Sequence, residues 1–102
     1  MLSDEIKLKR GSIEIYEIGD PDNCPGCQQI AYLLEDMSTR QGVSFVLIPY
    51  SFVHKNSTKN IKKIMRLYGK LPKSIPVVII KNRRGIHVFN SDTGFEGIEE
   101  EC

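Results

Sequence analysis

Between residues 12 and 50 the spacing of the apolar residues changes twice, and that change limits the folds open to the chain. "SIEIYEI" (12–18) sets Ile13, Ile15 and Ile18 against Glu14 and Glu17, the pattern of a strand. "GDPDN" (19–23) interrupts it with turn residues. From Pro25 onward Ile30, Leu33, Leu34 and Met37 recur at the spacing of a helix with one buried face. Asp22 or Asn23 can cap that helix, Pro25 suits its first turn, and Gly42 ends it. "VSFVLIPY" (43–50) is a mostly apolar, β-branched run, as expected of a strand covered on both faces. A strand, a helix and a strand in this order form a βαβ unit whose two strands run parallel.

The remainder follows the same logic. Residues 51–56 form a loop, and Asn56, Ser57 or Thr58 can start a second helix carrying Ile61, Ile64, Met65 and Tyr68 on one side, with Gly69 after it. "LPKSIP" (71–76) is a loop with two prolines, and "PVVIIKN" and "GIHVFN" are strands joined by the basic turn "KNRRG". "SDTGFEGIEEEC" (91–102) holds a short last helix. The expected architecture is α/β in the order β-α-β-α-β-β-α, a four-stranded mixed sheet flanked by helices, in a single domain spanning 1–102 with its core in 12–101 and residues 1–11 as an N-terminal extension.

A chain of 102 residues can build a core without covalent staples. Its apolar runs fall short of the roughly 18 residues of a membrane span, and "MLSDEIKLKRGS" (1–12) does not read as a signal peptide. The expectation is a cytoplasmic, monomeric protein without a membrane partner, in a compartment that keeps thiols reduced. The net charge of +1 hides a segregation: residues 37–90 contain eleven Lys or Arg and no Asp or Glu. Ten of those bases fall within 55–84, either as a solvated face or as a surface that steers an acidic partner. Aromatic residues are not interleaved with them as base stacking would need, so nucleic acid is not the expected partner.

Cys24 and Cys27 are separated by Pro25 and Gly26 at the start of the first helix. A helix N-terminus carries about half a positive charge and unpaired N–H donors. A thiolate there is stabilised, which makes Cys24 the nucleophile and Cys27, one turn further in, the resolving thiol. Cys-x-x-Cys beside a βαβ pattern is a sign of redox chemistry. Zinc would need a second pair of ligands, and His54, His87 and Cys102 are scattered. No metal is expected, and two inert buried cysteines are the bland alternative. His54 and His87 read as surface polar residues and Cys102 as a frayed, incidental thiol.

Taken together, "CPGC" between strand and helix, "SIPVVII" before a hairpin and "TGFEG" after it resemble the glutaredoxin branch of the thioredoxin fold. The likeness covers about residues 12–101 and is greatest to the small phage-type glutaredoxins, also called phage thioredoxins. It implies a thioredoxin-like fold and a dithiol–disulfide oxidoreductase, with Cys24 attacking and Cys27 resolving. By position Pro76, after Ile75, is the family's cis-proline beside the cysteines. Thr93, Gly94, Phe95 and Glu96 match the segment that holds glutathione, and Pro25, Gly26 and Ile75 complete the implied substrate- and glutathione-binding site. The implied partners are a protein disulfide such as that of ribonucleotide reductase, and glutathione or thioredoxin reductase as the source of electrons. Asp20 and Asp22 stand where many family members carry a base, and nearby acids oppose a thiolate. Two other readings accompany this one. The basic 55–84 surface suits a binding module for an acidic partner, and Gly26 suits a glutathione-dependent iron–sulfur carrier.

Overall fold

The computed structural model describes residues 13–102. Ser12 and the extension 1–11 lie outside the described residues. The elements are β1 (Glu14–Gly19), α1 (Pro25–Gln41), β2 (Phe45–Pro49), α2 (Thr58–Tyr68), β3 (Val77–Asn82), β4 (Gly85–Phe89) and α3 (Ile98–Glu101). They form one mixed sheet in the order β2-β1-β3-β4, with β1 parallel to β2 and antiparallel to β3, and β3 antiparallel to β4. The order of elements is the one that the apolar spacing predicts.

Each face of the sheet has its own core. On one, Leu34 and Met37 of α1 and Ile98 of α3 pack on Ile15, Val78 and Ile80. On the other, Ile64 of α2 packs on Ile18, Ile48, Val77 and Ile79. The result is three layers, helix on sheet on helix. β3 is central and buried on both faces along Val77–Ile80, which explains its unbroken apolar run.

Four local expectations are corrected. β2 is an edge strand: β1 pairs it on one side, and Val46 is about half exposed, so its β-branched run is not covered on both faces. The cap of α1 is Cys24 itself, whose Sγ accepts the Cys27 N–H at 3.2 Å, rather than Asp22 or Asn23. Met65 points outward, and Leu67 takes the inward position on α2. Cys102 is not frayed: it packs against the α1-side core, and its Sγ donates to Ile98 O at 3.3 Å. Burial, then Glu101 and Glu99, push its pKa up to about 11.

The chain end is held by long-range contacts. Glu101 accepts from Arg84 at 2.7 Å and meets His87 Nε2 at 2.6 Å, while Asn82 donates to Glu101 O at 2.9 Å. His87 is therefore built into a polar cluster between β4 and α3 rather than standing free on the surface. His54 is exposed. α2 begins at Ser57, whose side chain accepts from Asn60 N, and ends on Gly69 at φ 80°, a left-handed conformation that glycine adopts without strain.

Candidate functional site

The end of β1 and the start of α1 place the two cysteines. Asp20 to Asn23 form a turn, closed by Asn23 N to Asp20 O at 3.1 Å and by Asn23 Nδ2 to Asp20 Oδ2 at 3.1 Å. Cys24 follows in extended conformation (φ −135°, ψ 101°) and α1 starts at Pro25, whose missing N–H costs nothing in a first turn. The two sulfurs lie at disulfide distance, with Cα atoms 5.2 Å apart. Cys24 is half-buried and Cys27 fully buried. No acid occupies the first turn of α1, so the positive end of the helix is left to the sulfur.

The Ile75–Pro76 peptide bond is cis. Ile75 O lies 3.9 Å from Cys24 Sγ, and a side chain begun at Gly26 would place its Cβ 3.7 Å from Pro76 Cδ. The proline loop thus borders the Cys-Pro-Gly-Cys turn, whose Pro25 and Gly26 stay exposed. Asp20, Asn23, Cys24, Pro25, Phe52, Val53, Lys73, Ser74 and Ile75 line an open cleft of about 410 Å³.

Thr93, Gly94, Phe95 and Glu96 are not on its walls. The Thr93 N–H donates to Asn90 Oδ1 at 3.0 Å and the Gly94 N–H to Asn90 O at 2.7 Å. Both donors are satisfied inside the turn, which leaves neither for a ligand carboxylate. Phe95 packs against the α1-side core, and Glu96 borders a shallow groove beside His87, Glu100 and Glu101. α3 starts at Ile98, so this segment is not its N-terminal turn. The nearest tie to the cleft is Ser91 Oγ, 2.8 Å from Ser74 Oγ.

The basic stretch is divided as well. Lys73 reaches the cleft, whereas Lys63, Arg66 and Lys81 line a separate groove with Glu14 and Tyr16 at the start of β1.

No protein-family model and no curated protein matches this chain.

One further residue belongs to the site. Glu17 is fully buried, and neither carboxylate oxygen has a hydrogen-bond partner. Desolvation raises its pKa from 4.5 to about 7. A Cβ placed on Gly19 would lie 2.9 Å from Cys27 Sγ and 3.2 Å from Glu17 Oε2. The carboxyl and the buried sulfur therefore border the same small space. The sequence carried a signal for this. With a period of two, Glu17 shares a face with Ile13 and Ile15, so a strand continuing through Ile18 had to bury an acid.

Among the described residues, no three His, Cys, Asp or Glu side chains gather as a metal site would require, and no helix is long and apolar enough to cross a membrane.

Proposed function

We propose that the chain is a small dithiol–disulfide oxidoreductase with a thioredoxin-like fold of the glutaredoxin type, reducing protein disulfides through Cys24 and Cys27. The observation that carries this reading is the pairing of the two sulfurs at the N-terminus of α1. The half-buried member accepts a backbone N–H, and the buried member lies one turn behind it.

The chemistry runs in two steps. The Cys24 thiolate, favoured by the helix end, attacks one sulfur of the target disulfide, forming a Cys24–target bond and releasing the other target sulfur as a thiolate. Cys27 then loses its proton and attacks Cys24 Sγ, expelling the second target thiolate and leaving the Cys24–Cys27 disulfide. Two electrons pass to the target, whose thiolates take up protons from solvent. A carboxylate with a pKa near 7 beside a buried thiol suits it as the acceptor of the Cys27 proton, and this is the role proposed for Glu17. The oxidised protein is returned by an external thiol, glutathione or a reductase. A disulfide-bearing enzyme such as ribonucleotide reductase is the class of target that the resemblance implies.

Reduction of insulin disulfides by the reduced protein tests the reading. Cys24→Ser abolishes it, and Cys27→Ser forms a stable mixed disulfide with the target. Turnover that survives Cys24→Ser would refute the assignment.

A further inference from the structure

The loop between β2 and α2 does something that its own stability does not require. Phe52 is 57% exposed and Val53 73% exposed, although both are large and apolar. They are not exposed because the loop is loose. Ser51 N donates to Asn56 Oδ1 at 2.8 Å, and Asn56 Nδ2 returns a bond to Ser51 O at 2.9 Å. Ser51 Oγ accepts from Val53 N at 3.0 Å and from His54 N at 2.9 Å. The Phe52 ring stands edge-on to buried Tyr50, with centroids 5.4 Å apart. Four hydrogen bonds and an aromatic contact thus hold two apolar side chains in water, on the wall of the cleft that contains Cys24.

Exposed apolar side chains held rigidly beside a reactive atom are characteristic of binding. The rest of the wall indicates the occupant. Ile75 and Pro25 continue the apolar surface, while Lys73 and Asp20 put one charge of each sign on the wall. Lys73 pairs with no acid among the described residues and is free to meet one on a partner. The Thr93 and Gly94 N–H groups are used up at Asn90.

We infer that Phe52 and Val53 form a docking lip that selects protein disulfides. The favoured substrate is an extended segment carrying a large apolar side chain next to its cysteine and an acidic residue within reach of Lys73. The inference rests on the exchange chemistry proposed above and adds its substrate class. The lip gains by removing apolar surface from water on both partners, and a single fixed charge gives register more than affinity.

The test uses three kinds of oxidised substrate with the reduced full chain: hydroxyethyl disulfide, glutathione disulfide, and two disulfide-linked peptides that differ only in Leu or Ser beside the cysteine. Both peptides carry one Glu. The expected result is reduction of hydroxyethyl disulfide and a preference for the Leu peptide of roughly tenfold or more, the size that a few buried methylenes supply. Val53→Ser and Phe52→Ser should each reduce that preference severalfold and leave the rate with hydroxyethyl disulfide unchanged. Lys73→Gln should lower the rate with the Leu peptide, and replacing the peptide's Glu by Gln should remove that difference. Because Val53 is nearly free of neighbours, its variant keeps the test valid even if Phe52→Ser disturbs Tyr50. Equal rates for the two peptides, a preference that survives both variants, or glutathione disulfide reduced as fast as the Leu peptide would overturn the lip. Failure of the wild-type protein to reduce hydroxyethyl disulfide would instead overturn the exchange reading.

Discussion

Glu17 makes folding stability depend on pH in a predictable direction. Its pKa is raised by burial from 4.5 to about 7, so between those pH values the native chain holds a proton that the unfolded chain releases. The native state binds more protons in that window, and stability therefore falls as pH rises through it and levels off above about 7. Each pH unit of difference is worth about 1.4 kcal/mol, so the whole window amounts to about 3 kcal/mol. The neighbours across the sheet, Leu47 and Val78, offer no counter-charge. Urea unfolding of the oxidised protein from pH 4 to 8 measures the effect without interference from Cys24 and Cys27, which do not titrate as a disulfide. With a slope of about 1.5 kcal/mol per molar urea, Glu17 alone should lower the midpoint by about 2 M across the window. Glu17→Gln keeps the volume and removes the titration. Other acids contribute equally to both proteins, so the difference between the two pH profiles isolates Glu17. Parallel profiles would show that Glu17 titrates in the folded protein as it does in water, and the proton-acceptor role for Cys27 would fall with that result.

Three further outcomes can be checked directly. Limiting iodoacetamide on the reduced protein at pH 7 should label Cys24 first by mass spectrometry, Cys27 much more slowly, and Cys102 least, since its pKa is pushed up to about 11; preferential labelling of Cys27 would reverse the proposed roles. Gly19→Ala puts a methyl 2.9 Å from Cys27 Sγ and should cost about 1–3 kcal/mol by overpacking. The same variant should accumulate mixed disulfide, visible on non-reducing gels, because the resolving sulfur is displaced. Ser57→Ala removes the cap of α2 and should cost about 0.5–2 kcal/mol by chemical denaturation while leaving exchange rates at Cys24 unchanged.

The elements were legible because their apolar periods are long and each stops at a glycine or a turn. The cysteine pair was legible because Cys-Pro-Gly-Cys sits at such a boundary. The rest depends on neighbours and backbone turns that residue types do not specify. β2 reads as doubly covered because Val43, Val46 and Ile48 are β-branched, but pattern alone does not count the strands beside it. The polar cap was sought at Asp22 and Asn23, while the backbone stays extended one residue longer and hands that position to sulfur. Glu17 reads as the solvent side of an alternation that in fact shifts phase between Ile15 and Ile18. The exposure of Phe52 and Val53 has no period to betray it, since it comes from the Asn56 side chain closing a loop onto the Ser51 backbone five residues earlier. The satisfied N–H groups of Thr93 and Gly94 likewise depend on how Asn90 turns, and matching residue types do not reveal it.

Cys24 Sγ ends α1 by accepting a backbone N–H where most helices use an oxygen. In the proposed cycle the atom that changes partners is therefore also the atom that finishes the helix. As a thiolate it completes the helix with a full negative charge; bonded to a target it does so with a neutral sulfur, and the helix end is less well satisfied. The departure of the target does not restore that charge, because it leaves the neutral Cys24–Cys27 disulfide; the external thiol that reduces the pair does. In the proposed cycle the reduced state is accordingly the one in which α1 is best capped.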